Sequence, residues 1–337
     1  MSTPLLELKN VTKIFGSKSD YTVALDGMTF ALDEDFPKIV TIAGESGSGK
    51  TTMGMLMLGF YGPTMGEVLF RGQPLSTLKG PELYKFRRQI QAVFQDPFAV
   101  YNPFYKVDNL LSIPIKNYKL AGSRSEAREM MENALERVGL RPEETLGRYP
   151  HQLSGGQRQR IAVARALLLA PKLLITDEPV SMVDASLRST ILKSLRAMNQ
   201  DFGIPILYIT HDLTTAYHVS DYIIILYRGS VMEAGNVDKI IRDPQHPYTK
   251  LLVSSIPWPD PDLSWGGSEE MIQKSQVAFK EITGCKFEPR CPYSMDICRT
   301  KVPELFMTNG DRVVACYLQK DNPALPREEL SRVFTEA

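Results

Sequence analysis

Two sets of residues in this 337-residue chain have types and spacings that could do chemistry. The first is Gly44-Glu45-Ser46-Gly47-Ser48-Gly49-Lys50-Thr51, with Thr52 behind it, which fits the pattern G-x-x-x-x-G-K-[ST]. Glycines let a backbone wrap phosphates, and the free amides at a helix start face the anion. Lys50 would reach the β- and γ-phosphates of a bound nucleotide, and Thr51 would ligand Mg²⁺. The motif implies a nucleoside triphosphate and leaves kinases, GTPases, helicases and transport ATPases all open. The second set is Cys285, Cys291, Cys298 and Cys316, the only cysteines of the chain, all in its last sixth.

The setting of those cysteines bears on their use. The first ten residues lack a basic segment followed by an apolar stretch, so a secretory signal is not expected. The longest apolar runs, Met53 to Gly62 and Tyr222 to Tyr227, fall far short of the roughly 20 residues a membrane-spanning helix needs. A reducing cytosolic setting is therefore expected, where clustered cysteines point to metal ligation rather than disulfides.

The elements that must position these residues follow from periodicity. Residues 5–43 read as strands, with Lys38–Ala43 a short apolar run that ends at the glycine loop. A helix is expected from about Gly49 through Leu58, and strands at Glu67–Arg71 and Gln91–Gln95. The stretch from about 97 to 155 is helical, its best helix at 124–138 with Ser123-Arg-Ser-Glu126 as a capping box. Helices at 157–169, 185–201 and 212–219 then alternate with strands at 172–177, 205–210 and 222–227, which implies a parallel sheet covered by helices. Trp258 to Gly267, with two prolines and two glycines, reads as a linker. The last 17 residues read as a polar, loosely ordered tail.

Leu153-Ser154-Gly155-Gly156-Gln157 places small residues and free amides before the helix expected at 157–169, a second phosphate-binding surface. One phosphate loop with two phosphate-directed helix starts suggests that the second faces a nucleotide bound by another subunit. The plain alternative is a flexible loop before a helix. At this point the sequence resembles the nucleotide-binding subunit of an ABC transporter, over residues 5–257, with Leu153–Gln157 matching the family signature without a change.

That resemblance implies the fold and the remaining roles. The fold is an α/β P-loop NTPase with a mixed, mainly parallel core sheet, an antiparallel β subdomain and an inserted α-helical subdomain at about 97–157. Phe15 would stack on adenine, with Tyr21 as a rival. Gln95 would touch Mg²⁺ and the attacking water, Asp177 would support Mg²⁺ and Glu178 would polarise water. Asp184 matches the D-loop aspartate and His211 the switch histidine that contacts the γ-phosphate. Asp177, Glu178 and His211 all end apolar strands, the edge where ligands bind in open α/β sheets. Two departures stand out: Thr176 where an apolar residue is usual, and Ser181-Met-Val-Asp184 in place of Ser-Ala-Leu-Asp.

The rest of the chain narrows the branch. Arg148-Tyr-Pro-His-Gln, His246–Pro257 and the pattern Cys-x5-Cys-Pro-x5-Cys-x17-Cys resemble dipeptide and oligopeptide importer ATPases. In that branch the four cysteines hold an iron–sulfur cluster, so the resemblance implies Cys285, Cys291, Cys298 and Cys316 as candidate ligands of a [4Fe–4S] centre, with unligated thiols or disulfides as the plain alternative. Zinc is the other alternative, although zinc modules generally bring ligands in close pairs and none is present here.

The expected organisation is an ATPase domain at 1–257, a linker at 258–275, a four-cysteine module at 276–320 and a tail at 321–337. The resemblance implies an ATP- and Mg²⁺-dependent ATPase on the cytoplasmic face of the inner membrane, driving peptide uptake by closure of an ATPase dimer. Its partners would be a second ATPase, with a paralogue favoured, two permease subunits and an extracytoplasmic solute-binding protein. Phe98, Tyr101, Phe104 and Tyr105 lie where the family docks its permease. Oligosaccharides and nickel are the alternative cargoes. The 39 basic and 39 acidic residues cancel, which argues against a nucleic-acid partner and so against repair or translation relatives. The complete motif set argues against a non-hydrolysing regulatory subunit.

Overall fold

The computed structural model describes residues 3–17, 20–96, 101–181, 183, 185–256 and 283–335. Phe98, Asp184 and the linker at 258–275 therefore lie outside the described residues. The chain divides into two compact units: Met1–Leu78 with Ile209–Ala337, and Lys79–Tyr208.

The first unit holds two sheets. Strands Tyr21–Leu32, Leu6–Gly16, Met65–Phe70 and Gln73–Pro74 pair in that order, all antiparallel. Leu6, Leu8 and Val11 point into its core, and irregular pairing between Leu8 and Val11 surrounds Asn10, whose φ is 49°. Such a left-handed residue is tolerated by asparagine better than by most side chains. In the second sheet Ile39–Ala43 runs parallel to Tyr222–Tyr227, which pairs antiparallel with Ser230–Asn236. All residues of Ile39–Ala43 and Tyr222–Tyr227 are buried, which is why they read as unbroken apolar runs rather than alternating ones.

The four-cysteine region extends this same sheet. Arg312–Val314 pairs with Ser230–Asn236, Leu305–Thr308 with Arg312–Val314, and Ala324–Leu325 with Leu305–Thr308. Cys285, Phe287, Cys298, Phe306 and Tyr317 share one core with Ala43, Ile225, Tyr227, Tyr248 and Leu251. A region too small for its own core thus borrows the core of the ATPase. The described part of the tail departs from the loose order expected of it. Leu330, Val333 and Phe334 are buried, and Phe334 meets Phe30 and Tyr222 edge-on at centroid distances of 5.9 and 5.5 Å. Three apolar residues in a polar stretch suffice to anchor it.

In the second unit Ile90–Val93 runs parallel to Leu173–Asp177. No strand lies between residues 101 and 155 among the described residues, and helices Val107–Asn117, Arg124–Arg137 and Gly155–Leu167 fill the unit. Two caps differ from expectation. Ser123 accepts from the Glu126 amide at 3.1 Å, but the Glu126 carboxylate takes the Gly122 amide at 2.7 Å instead of closing a box on Ser123. The helix expected from 157 starts at Gly155, because Ser154-x-x-Gln157 is itself a capping box.

Candidate functional site

The phosphate loop follows from its glycines. Gly44, Gly47 and Gly49 have φ of 152°, 77° and 103°. A β-carbon on Gly44 would stand 2.2 Å from the Leu226 carbonyl oxygen, and one on Gly49 would stand 2.2 Å from that of Ala24. Both positions exclude any other residue on two independent grounds, conformation and space. Helix Lys50–Met57 begins at once, with Gly49 as its N-cap and no side chain capping its free amides. Lys50 is only 5% exposed, and its ammonium donates to the carbonyls of Gly44 at 2.8 Å and Glu45 at 2.9 Å. It arches over the loop, a cation held where phosphate charge would be met.

Several further residues of this unit bear on the same loop. The Glu45 carboxylate is gripped by Arg290 through two contacts, 2.9 and 3.0 Å, and the Glu45 amide donates to the Tyr248 hydroxyl at 2.9 Å. Arg290 and Tyr248 were not singled out from sequence. A carboxylate in an anion-binding loop was the available signal, since it demands a cation. Phe15 is 38% exposed at the end of strand Leu6–Gly16, with Tyr61 edge-on at 5.6 Å and the Lys13 ammonium 5.1 Å from its centroid. Tyr21, its rival, is as exposed and pairs opposite Gly16. His211 is exposed and directly follows Thr210, the end of strand Ile206–Thr210. Asp212 then caps the next helix, accepting from the Thr214 and Thr215 amides at 2.9 and 3.3 Å.

The second unit carries the other motif residues. Asp177 ends its strand, and Glu178 follows with φ of 46°. A left-handed glutamate costs on the order of 1–2 kcal/mol and breaks the alternation that would send adjacent side chains to opposite faces. The Ser181 hydroxyl holds the turn by donating to the Glu178 carbonyl at 3.0 Å. Thr176, the unusual polar residue, is fully buried, and its hydroxyl points to the Leu207 carbonyl at 3.5 Å. Gln95 is exposed two residues beyond strand Ile90–Val93. In the signature segment Leu153 is buried and Ser154 is exposed. Ser154 accepts from the Gln157 amide at 3.2 Å, and the Gln157 side chain accepts from the Ser154 amide at 2.9 Å. A β-carbon on Gly156 would meet Leu187 Cδ1 at 2.6 Å, so this glycine lets the Leu187 side chain pack closely.

The four cysteines line one small cavity with His246, Phe287 and Tyr317, and none forms a disulfide. Cys285 donates its amide to the Cys298 carbonyl at 2.7 Å, an approach that Gly284 permits. Burial pushes the Cys285 thiol up to about 12 and the Cys316 thiol up to about 11, with the neighbouring cysteines adding to each shift. Thiols so placed stay protonated until a metal displaces their protons. Among the described residues, no group of three or more His, Cys, Asp or Glu side chains is arranged to hold a metal ion. The metal centre expected from sequence is therefore not borne out: the four cysteines line one cavity, but no metal-holding arrangement is present among the described residues.

Known families account for both halves of this arrangement. Residues 25–181 match the model of the ABC transporter family, and residues 232–298 match that of the oligopeptide/dipeptide transporter C-terminal region. The oligopeptide transport ATP-binding protein AppF of Bacillus subtilis is 38% identical over 327 residues, covering 93% of this chain and 97% of its own. This chain belongs to the ABC transporter family, as an ATP-binding subunit of the oligopeptide/dipeptide importer type. Solved structures agree on the fold. The dimeric, post-hydrolysis ATP-binding cassette MJ0796 bound to ADP and Pi superposes with a TM-score of 0.61 at 32% identity, over 69% of this chain and 98% of that one. CbiO1 of Clostridium perfringens, part of the transporter complex cbiONQ, does so with a TM-score of 0.62 at 29% identity, over 72% and 92%. As a member of the family, the chain is an ATP-hydrolysing transport enzyme with the P-loop ABC ATPase fold. None of its described helices is long and apolar enough to cross a membrane.

Proposed function

We propose that this subunit powers the uptake of dipeptides or oligopeptides, acting at the cytoplasmic face of the inner membrane on two separate permease subunits. The match of residues 232–298 to the oligopeptide/dipeptide transporter C-terminal region carries the cargo class. Cargo would reach the permeases from an extracytoplasmic binding protein. A second ATPase, a paralogue by preference, would complete the dimer. Tyr101, Phe104 and Tyr105 are assigned to the permease-facing side, the last two on the strength of their exposure.

Within the subunit, Gly44 to Thr52 bind the triphosphate, with Lys50 as the fixed cation and Phe15 stacking on the base. By the family resemblance Thr51, Gln95 and Asp177 would hold Mg²⁺, which would draw charge from the phosphates. Glu178 polarises the attacking water, supported by its strained turn just past the strand. His211 contacts the γ-phosphate. Leu153–Gln157, with Asp184, serve the nucleotide of the partner ATPase, supported by the exposed helix start at Ser154.

The four cysteines are read as ligands of a [4Fe–4S] cluster, with zinc as the alternative. Support comes only from the four thiols lining one cavity. Anaerobically purified protein is expected to carry iron and to absorb in the blue. A colourless, iron-free sample with one zinc per chain would replace the cluster by zinc.

The cargo is tested by reconstituting the co-purified complex with its binding protein. Dipeptides or oligopeptides are expected to stimulate ATP hydrolysis. Stimulation by an oligosaccharide or nickel instead would reassign the cargo.

A further inference from the structure

The phosphate loop contains an acid, and an acid is the wrong charge beside a triphosphate. At the end of the loop Glu45 carries this charge next to Gly44, whose carbonyl holds the Lys50 ammonium at 2.8 Å. The structure assigns its neutralisation to the four-cysteine region. The two terminal guanidinium nitrogens of Arg290 donate to the two Glu45 carboxylate oxygens, at 2.9 and 3.0 Å, in the bidentate geometry that makes such pairs strong. Arg290 lies mostly buried, its guanidinium 5.7 and 5.6 Å from the ring centroids of Tyr227 and Phe287.

The position of Arg290 is set by the turns that carry the cysteines. The Glu288 amide donates to the Cys285 carbonyl at 3.0 Å, that of Arg290 to Phe287 at 3.0 Å, and that of Cys291 to Glu288 at 3.0 Å. A second tie reaches the same loop residue, because the Tyr248 hydroxyl accepts the Glu45 amide at 2.9 Å. Tyr248 packs on Tyr227 and Phe287, at centroid distances of 4.6 and 5.4 Å. The loop is therefore braced by Arg290, which the cysteine turns hold, and by Tyr248 of helix Pro247–Ser254, which packs on Phe287 of those turns.

We infer that Arg290 is a positioning residue for nucleotide binding. It draws the Glu45 carboxylate out of the phosphate site and neutralises it, which makes ATP affinity depend on the folded C-terminal region. The inference rests on the reading of Gly44 to Thr52 as the nucleotide site but not on the identity of any metal at the cysteines.

The experiment measures MgATP affinity of the full-length subunit with a fluorescent nucleotide, alongside its thermal midpoint. Arg290→Ala is expected to weaken binding about tenfold. The double variant Glu45→Gln/Arg290→Ala should recover most of that loss, because no carboxylate is left to neutralise. Arg290→Lys should fall in between, since a lysine keeps the charge without the fork. A purely structural role for Arg290 predicts no rescue by Glu45→Gln. Wild-type affinity in Arg290→Ala, or no recovery in the double variant, would overturn the inference. Arg290→Met, which keeps a stem against the aromatic rings, replaces the alanine variant if that one does not fold. Lys50→Ala separates the two failures. If it binds MgATP normally, the loop itself is misassigned; if it loses binding while Arg290→Ala keeps it, only the role of Arg290 fails.

Discussion

Chemistry at the residue scale turns on backbone conformation as much as on side-chain identity. Glu178 stands in the left-handed region, where a non-glycine residue persists only if its surroundings impose it. Glu178→Gln keeps the shape and removes the base, so ATP turnover by the assembled complex is expected to vanish while ATP binding survives. Normal turnover would remove Glu178 from the mechanism. Gly49→Ala tests the loop in the same spirit. Its methyl group would strike the Ala24 carbonyl from a φ of 103°, so loss of ATP binding is expected together with destabilisation of about 1–3 kcal/mol. Equilibrium denaturation and nucleotide titration of the same sample check both effects. The glycines, Lys50 and Glu178 could be read from sequence by type and spacing. The conformation of Glu178 could not, because a strand-end dipeptide gives no sign of a positive φ.

At the scale of elements, caps decided where helices begin. Reading the helix from 157 put the start at the first long side chain and passed over Ser154-x-x-Gln157, which closes a reciprocal cap two residues earlier. That shift leaves Ser154 at the exposed tip of a helix start, the place from which it could face an anion. Ser154→Ala is expected to cost about 1 kcal/mol in chemical denaturation through loss of the cap. In the assembled complex it should lower ATPase activity far more than that stability change explains. Wild-type activity would leave the serine as a cap only. The strands fared better on sequence, since Tyr222–Tyr227 was placed to the residue and Leu173–Asp177 and Ile206–Thr210 to within one. Buried parallel strands make continuous apolar runs with sharp ends, whereas helix ends depend on hydrogen bonds that pattern alone does not reveal.

On the scale of the molecule, the C-terminal region is built into the ATPase. It supplies three strands to the sheet edge and contributes Phe287 and Tyr317 to a common core. Its last turn seals another part of that unit, with Phe334 against Phe30 and Tyr222. Phe334→Ala is expected to destabilise the protein by about 3–5 kcal/mol, the usual cost of emptying a buried aromatic site. A change in unfolding free energy below about 1 kcal/mol would show that the tail is dispensable.

The amino-acid sequence by itself determined the chemistry: a triphosphate loop, a signature, a run of strand-end acids and a histidine, and four clustered thiols. Those features depend on residue type and short spacing, which a linear chain states directly. Only the tertiary structure decided that Arg290, 245 positions from Glu45, pairs with this acid of the phosphate loop. It also decided that Leu330, Val333 and Phe334 of the tail pack, and that the described cysteine region shares a core with the ATPase. Such facts depend on which surfaces meet after folding. An ion pair between distant residues leaves no periodicity in sequence, only an acid in an unlikely place.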